Sequence, residues 1–220
     1  MEGRLRTLLP VHGFVLAGGK SSRMGEDKAL LRFCGRPMVE IAVEKLRRLC
    51  AEVSIVGSRE DLSGFAPVVR EDRVGVGPAA GIEAGLKAAR QEWAMFMPVD
   101  VPLVPGEFLR TWVEEALRVK MSVSYLGILS LGKQPAFCMV QRERLGSVTR
   151  LLDEGERRLE VLLNRTAETD GYASWMYNER ELCGGPEGRP PDEATLARWF
   201  ANVNTPEELA AAETWALQIP

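Results

Sequence analysis

The sequence predicts a three-layer α/β fold with a mostly parallel sheet, and three observations lead to this prediction. Short apolar runs alternate with amphipathic segments along most of the chain, as strands and helices do in α/β proteins. The run at 93–97 is apolar throughout, which is typical of a central parallel strand buried on both faces. The length of 220 residues, with 45% hydrophobic and 27% charged residues, suits one globular domain over residues 1–220.

Charge and composition argue against several classes of protein. A net charge of −3 provides no overall basic field that would attract nucleic acid or an anionic membrane. No apolar run approaches the roughly 20 residues of a membrane span. His12 is the single histidine, which argues against a His-rich metal site and against a catalytic triad. We expect His12 at a strand edge.

Cysteine usage and the N-terminus bear on the cellular compartment. The four cysteines form no C-x-x-C pair, which indicates free thiols in a reducing compartment. They are Cys34, Cys50, Cys138 and Cys183. Pro10, His12 and Gly13 interrupt the apolar N-terminal run, so it is a poor signal peptide and we expect a cytoplasmic protein.

The first strand leads into a loop, residues 16–28, with the sequence L-A-G-G-K-S-S-R-M-G-E-D-K. Gly18 and Gly19 let the backbone approach a ligand closely, and free amides in such a loop suit phosphate oxygens. Arg23 and Lys28 add positive charge, so a nucleoside triphosphate satisfies every feature of the loop. Neither the P-loop pattern nor the dinucleotide fingerprint G-x-G-x-x-G occurs here. A solvated turn would explain the paired glycines but not the whole combination.

This loop resembles the opening motif of nucleotidyltransferases with a Rossmann-like fold, L-A-G-G-x-S-x-R-M-G-x-D-K. Its Asp-Lys ending is most similar to the molybdenum cofactor guanylyltransferases (MobA-type). The resemblance implies transfer of GMP from GTP to the phosphate of molybdopterin, with Mg²⁺ and with release of pyrophosphate. It implies catalytic roles for Arg23 and Lys28 and nucleotide contacts from the N-terminal half of the chain. The implied nucleotide-binding residues of the loop are Leu16, Ala17, Gly18, Gly19 and Lys28.

The chain after the loop predicts a helix that begins at Pro37, strands at 53–57 and 67–69, and a helix at 79–90. Ligands of parallel α/β sheets lie beyond the carboxyl ends of the strands, which places Asp72 at the functional edge. From the residues alone, a solvated turn acid explains Asp72 equally well. The following segment resembles the family's G-P-L-A-G, and this implies a contact between Asp72 and the guanosine part of GTP.

Asp100 follows the apolar run at 93–97 and stands at the end of that predicted strand. A buried carboxylate needs a cation or several donors, and Mg²⁺ bound to a triphosphate meets that need. The alternative, that Asp100 caps the next helix, is weaker because Pro105 and Gly106 lie nearer to its start. The segment resembles the family's P-x-D-x-P, which implies that Asp100 is the metal ligand, contacts the nucleotide and takes part in catalysis.

The C-terminal half predicts a helix at 105–119, strands at 121–126 and 135–141, and a helix at 145–163 that breaks near Gly155. The resemblance implies that this half binds the acceptor. The acceptor-binding candidates are Gln134, where the family usually has His, Arg157 and Arg158 in a G-E-R-R segment, and Asn202 and Asn204. A neutral amide cannot carry a proton charge, so Gln134 is expected to bind rather than to shuttle protons. Twin arginines are also typical of plain surface charge.

Residues 170–198 depart from the family, and their glycines and prolines predict an irregular excursion. A short strand is expected to end at the two asparagines. Thr205, Pro206 and Glu208 then have the spacing of a capped helix start. The expected partners are GTP, molybdopterin and proteins that deliver molybdopterin.

Two other functions stay open at this stage. A related cytidylyltransferase or sugar-phosphate nucleotidyltransferase would share the loop and the metal aspartate. A nucleotide-binding module that no longer reacts would not require Arg23, Lys28 and Asp100 together.

Overall fold

A computed structural model describes residues 7–18, 28–73, 75–128, 131–168, 175–177 and 191–217. The strands are β1 (Leu9–Leu16), β2 (Arg32–Phe33), β3 (Arg36–Pro37), β4 (Cys50–Val56), β5 (Val68–Val69), β6 (Trp93–Pro98), β7 (Val123–Ile128), β8 (Gly132–Gln141) and β9 (Trp175–Tyr177). The α-helices are α1 (Met38–Arg47), α2 (Pro78–Ala88), α3 (Gly106–Val119), α4 (Leu145–Asp153), α5 (Leu159–Glu168), α6 (Glu193–Trp199) and α7 (Pro206–Ala216). Two short 3₁₀ turns lie at Glu60–Gly64 and Arg142–Arg144.

Within the described ranges, seven strands form one sheet in the order β5-β4-β1-β6-β8-β7-β9. All of them run parallel except β8, which is antiparallel to both of its neighbours. Helices α1, α3, α6 and α7 cover one face of this sheet, and helices α2, α4 and α5 cover the other. The predicted three-layer α/β fold with a mostly parallel sheet is therefore confirmed.

Strand β6 is apolar throughout, and β1 is apolar except for His12, because both faces of the sheet are covered. In β1, Val11 and Val15 belong to the core on the α1 side, whereas Phe14 and Leu16 belong to the core on the α2 side. In β6, Met95 and Phe96 divide between the two cores in the same way. Successive side chains of a strand point to opposite faces, so neither face of these strands has room for a polar side chain without a partner.

Several local predictions are confirmed. The long helix predicted to break near Gly155 is two helices, α4 and α5. Helix α7 begins with a capping box, in which the Thr205 side chain accepts from the Glu208 N–H and the Glu208 carboxylate accepts from the Thr205 N–H. Helix α3 begins at Gly106, so Asp100 does not cap it. No helix within the described ranges combines the length and apolar character needed to cross a membrane.

The prediction that His12 lies at a strand edge is wrong. His12 stands inside β1, between β4 and β6, and is 3% exposed. Its Nδ1 accepts from the Arg90 N–H at 3.3 Å, so its Nε2 donates to the Ser54 Oγ at 3.0 Å. Its ring stacks on Phe14 at 4.2 Å between centroids. Burial lowers the pKa of this histidine, and the neutral ring is accommodated because both of its nitrogens are hydrogen-bonded.

Two further predictions about the C-terminal part need correction. The segment before Asn202 is not a strand. The neighbouring Val203 N–H donates to the Asp100 carbonyl, just beyond β6, at 2.8 Å. The excursion at 170–198 is not irregular throughout, because β9 and α6 lie within it. The rest of that excursion, including Cys183, lies outside the described residues.

Candidate functional site

A pocket of about 420 Å³ opens at the carboxyl ends of β1 and β6. These two strands are parallel neighbours with Leu16 opposite Pro98, so the residues that follow each strand meet at one edge of the sheet. The pocket is lined by Leu16, Ala17, Gly18, Lys28, Ala29, Pro78, Pro98, Val99, Asp100, Gln134, Pro135, Ala136, Phe137, Leu159 and Asn202. The topology thus gathers chain segments that are far apart in sequence.

Lys28 and Asp100 form the charged part of this pocket. The Lys28 Nζ lies 3.3 Å from the Asp100 Oδ2 and also donates to the Asn204 Oδ1. Both charged side chains keep some exposure, 29% for Lys28 and 19% for Asp100, so they are open to a ligand. An ammonium and a carboxylate at this spacing can take up a phosphate and a metal ion respectively.

The C-terminal segment reaches the pocket through backbone hydrogen bonds. The Val203 N–H donates to the Asp100 carbonyl at 2.8 Å, and the Asn204 N–H donates to the Glu208 carboxylate at 2.6 Å. The first bond ties the asparagine segment to the end of β6, and the second ties it to the start of α7. This arrangement explains why Asn202 lines the pocket and why Asn204 contacts Lys28.

Gly18 has no room for a side chain, because a carboxylate packs against it. A Cβ at Gly18 would lie 2.7 Å from the Glu71 Oε1, and one at Gly81 would lie 3.3 Å from the same atom. Glu71 is half-buried, burial raises its pKa, and no described residue donates a hydrogen bond to it. A carboxylate without a donor, beside the glycine loop, can accept hydrogen bonds from a ligand.

Asp72, predicted to contact the nucleotide, does not line the pocket. It is 70% exposed and forms an ion pair with the Lys87 Nζ of α2 at 2.8 Å. Asp72 therefore lies on the exposed side of α2, whereas the Glu71 carboxylate lies beside Gly18. Glu71 does not line the pocket itself, but it packs against Gly18, which does. The sequence analysis did not single out Glu71, whose only signal was its position one residue earlier at the same strand end.

The remaining predicted residues divide into three groups. Gln134 and Asn202 line the pocket. Arg157 and Arg158 do not line it. The Arg157 Nη1 donates to the Leu152 carbonyl at 2.6 Å, while the mostly exposed Arg158 pairs with Glu156. Gly19 and Arg23 lie outside the described residues.

A half-buried lysine supports the backbone just beyond Asp100. The Lys45 Nζ, from α1, donates to the Pro102 carbonyl. Burial lowers the pKa of Lys45 to about 8, and no described residue forms an ion pair with it. The Lys45 ammonium therefore supports the loop after β6 by a hydrogen bond, and no described carboxylate balances its charge.

Asp100 is the acidic residue that could hold a metal ion in this pocket. Within the described ranges no cluster of three or more His, Cys, Asp or Glu side chains could form a cage for a metal. A single carboxylate suits a hard cation that takes most of its remaining ligands from substrate phosphates and water. The donor set therefore fits Mg²⁺ better than a metal held by the protein alone.

Both the sequence and the fold of this chain are similar to those of known proteins. The sequence model of the MobA-like NTP transferase domain matches residues 13–169. The molybdenum cofactor guanylyltransferase of Polynucleobacter asymbioticus is 29% identical over 211 residues, which cover 92% of this chain and 96% of that protein. The one from Vibrio atlanticus is 30% identical over 201 residues, which cover 89% and 91%. The crystal structure of molybdopterin-guanine dinucleotide biosynthesis protein A from Archaeoglobus fulgidus has the same fold. Its TM-score is 0.74 at 21% identity, with 94% of this chain and 100% of that chain covered.

Proposed function

This chain belongs to the MobA-like NTP transferase family, and we propose that it transfers GMP from GTP to the phosphate of molybdopterin. The products are the guanine dinucleotide form of the cofactor and pyrophosphate. One observation carries the proposal: Gly18, Lys28 and Asp100 lie around a single pocket at the carboxyl edge of the sheet. A glycine turn, an ammonium and a metal-binding carboxylate are the groups that a triphosphate with its metal requires.

On the nucleotide side, each residue has a distinct task. The Gly18 backbone lines the pocket and has no Cβ, so it allows close approach of the triphosphate. Lys28 neutralises charge on the phosphates, and Gly19 and Arg23 are proposed to contact them from the same loop. The Glu71 carboxylate can accept from guanine N1–H and N2–H₂ or from a ribose hydroxyl. Glu71 takes the place that sequence reasoning gave to Asp72.

Mg²⁺ is the proposed metal, with Asp100 as its protein ligand. When bound, Mg²⁺ would neutralise the triphosphate and polarise its phosphorus–oxygen bonds. The Lys28 ammonium, 3.3 Å from the Asp100 Oδ2, holds this carboxylate in place beside the phosphate site. Asp100 is also fixed through its backbone, because its carbonyl accepts from Val203.

The acceptor is proposed to enter from the side of β8. Pro135, Ala136, Phe137 and Leu159 form an apolar wall there, which suits a planar heterocycle. Gln134, Asn202 and Asn204 supply amides that both donate and accept. This assignment does not need Arg157 or Arg158, which lie outside the pocket lining.

The reaction needs positioning and charge neutralisation rather than a strong base. The acceptor phosphate is already ionised at neutral pH. Its oxygen forms a bond to the α-phosphorus of GTP while the bond from that phosphorus to the bridging oxygen breaks, and pyrophosphate leaves with the electron pair. Lys28 stabilises negative charge during this exchange. A buried, hydrogen-bonded His12 on another part of β1 is consistent with a reaction that uses no histidine.

The test is a turnover assay with molybdopterin and each of the four nucleoside triphosphates under identical Mg²⁺. We expect kcat/KM for GTP to exceed the values for CTP and ATP by roughly 10³-fold. This estimate takes two or three unpaired polar groups at about 1–3 kcal/mol each for the wrong base. Pyrophosphate release and the mass of the dinucleotide product give independent readouts. A preference for CTP, or turnover with a sugar phosphate and not with molybdopterin, would replace this proposal with a related transferase.

A further inference from the structure

A buried carboxylate outside the pocket joins α2, α4 and the segment after β5. Glu83 of α2 is 1% exposed. Its Oε2 accepts from the Arg73 Nε at 2.8 Å, and its Oε1 accepts from the Arg73 Nη2 at 3.3 Å and from the Thr149 Oγ1 at 2.8 Å. The Arg73 Nη2 also donates to Asp153 of α4 at 2.6 Å. Arg73 is thus held in a fixed, forked geometry.

A second pair lies one helical turn further along α2. The Lys87 Nζ donates to the Asp72 Oδ2 at 2.8 Å and lies 3.6 Å from the Glu83 Oε2. Two consecutive residues of opposite charge, Asp72 and Arg73, therefore meet two residues of opposite charge four positions apart on one helix. We call these four residues, Asp72, Arg73, Glu83 and Lys87, the charged clamp.

The charged clamp fixes the backbone directly after Glu71. Holding Asp72 and Arg73 against α2 fixes the backbone that follows Glu71, whose Oε1 lies 2.7 Å from the position of a Cβ at Gly18 and 3.3 Å from that of a Cβ at Gly81 of α2. Glu71 itself accepts no hydrogen bond from a described residue. The orientation of its carboxylate therefore depends on packing and on the backbone that the charged clamp holds.

Stability alone does not explain a carboxylate at position 83. Apart from Lys87, the residues of α2 around Glu83 are alanine, glycine, isoleucine and leucine, and an apolar side chain at this position would pack α2 on α4 without any desolvation of charge. Burial by itself raises the pKa of Glu83, but the hydrogen bonds from Arg73 and Thr149 and the Lys87 charge outweigh it, so that its pKa is lowered and it stays ionised. What the ion pairs provide, and apolar packing would not, is one defined path for the segment 71–73.

We propose that the charged clamp positions Glu71 in the nucleotide site, which makes Arg73 and Glu83 positioning residues for the transfer reaction. This inference rests on the proposed function, because Glu71 is assigned there as the carboxylate that accepts hydrogen bonds from GTP. Neither Arg73 nor Glu83 lines the pocket, so any effect they have on GTP must pass through another residue.

The experiment measures GTP affinity by titration calorimetry with Mg²⁺ and without acceptor, in the full chain. The variants are Arg73→Met, Glu83→Gln, Glu71→Gln and the double variants that combine Glu71→Gln with each of the first two. Lys87→Met tests the exposed arm of the charged clamp, where a folding defect is not expected. The matched control is Arg110→Met. Arg110 is a buried residue of α3, away from the pocket, and its Nη2 donates to the Arg48 carbonyl at 2.8 Å.

We expect Arg73→Met and Glu83→Gln to weaken GTP binding by roughly fivefold to tenfold, which is the size of effect that residues in one ion-pair network have on a neighbour. Lys87→Met should have a smaller effect in the same direction. In the Glu71→Gln background, neither Arg73→Met nor Glu83→Gln should weaken GTP binding further. In turnover, KM for GTP should rise while KM for molybdopterin stays the same. Arg110→Met should lower the melting temperature with no change in GTP affinity.

Additive losses in the Glu71→Gln background would overturn the proposal, and so would unchanged GTP affinity in Arg73→Met, Glu83→Gln and Lys87→Met. An equal loss of affinity in Arg110→Met would also overturn it, since the effect would then follow general destabilisation. The two proposals can fail separately. Wild-type GTP binding without turnover of molybdopterin rejects the transfer reaction and leaves this test intact, whereas a wild-type chain that binds no GTP rejects both.

Discussion

Replacing Lys45 with methionine should stabilise the fold at neutral pH and impair the reaction. The Lys45 ammonium lies half-buried beneath the loop after β6 and has no acidic partner among the described residues. Burial lowers its pKa from 10.5 to about 8, so keeping it charged in the folded state at pH 7 costs at most roughly 3 kcal/mol. Partial exposure screens the charge and reduces this figure to roughly 2 kcal/mol.

Methionine fills a similar volume without charge, but it cannot donate to the Pro102 carbonyl. Losing that hydrogen bond costs about 1 kcal/mol, so Lys45→Met should raise the free energy of unfolding by a net of about 1 kcal/mol at pH 7. Pro102 lies two residues beyond Asp100. Because the Pro102 carbonyl loses its donor, the carboxylate proposed to bind the metal is less well placed, and we expect kcat to fall roughly tenfold.

The pH dependence gives the sharpest check. Between about pH 8 and pH 10.5 the unfolded wild-type chain keeps the Lys45 proton while the folded chain has released it, so wild-type stability rises with pH in this window. The advantage of Lys45→Met should therefore be present below pH 8 and disappear as the pH approaches 10. Urea unfolding of both proteins at pH 7, 8, 9 and 10 measures this difference, and Lys45→Leu repeats it with another apolar side chain. Parallel stability curves for wild type and variants would refute the reasoning.

Four more predictions concern the pocket and the buried histidine. Lys28→Ala should keep the fold and lower turnover by roughly 10²-fold or more through lost charge stabilisation; circular dichroism and kcat measure the two effects, and wild-type turnover would remove Lys28 from the mechanism. Asp100→Asn should abolish Mg²⁺-dependent transfer while sparing most nucleotide affinity measured without metal, and an unchanged metal dependence would contradict the ligand assignment. Gly18→Ala should cost about 1 kcal/mol of stability, because the tip of Glu71 can move away from the new Cβ at 2.7 Å, yet it should raise KM for GTP. The lowered pKa of His12 means that the unfolded chain takes up a proton first as the pH falls below about 6.5, so stability should decline there, and His12→Gln should flatten that decline in thermal melts at pH 5 and pH 7.

The sequence was sufficient to predict the sheet and the charged centre of the pocket. A short apolar run is typical of a strand whose sheet is covered by helices on both faces, and this pattern located β1 and β6. Asp100 was predictable because it follows the apolar run of β6, and parallel neighbours bring their carboxyl ends together. Lys28 was predicted from the charge that closes the glycine loop and from the resemblance to the family's opening motif.

The sequence pattern was not sufficient where a distant partner decides the position of a side chain. His12 is buried because Ser54 and Arg90 satisfy its two nitrogens, and neither partner is visible from the strand alone. Asp72 faces the surface because Lys87 lies opposite on α2. Strand pattern alone gave no means of choosing between Asp72 and its neighbour Glu71, since that choice depends on which side of the segment packs against the helix.

The residues proposed to bind the nucleotide, from the N-terminal half, and those proposed to bind the acceptor, from the C-terminal half, meet in one pocket. Lys28, from the first half, donates to Asn204, from the last tenth of the chain, while it pairs with Asp100. The neighbouring Val203 N–H also joins this C-terminal segment to Asp100, because it donates to the Asp100 carbonyl. The residue proposed to bind the triphosphate is therefore in contact with the segment proposed to bind the acceptor. In-line transfer requires both substrates to be aligned at one phosphorus. A lysine that contacts both segments couples the position of the nucleotide to that of the acceptor, which two separate half-sites could not do.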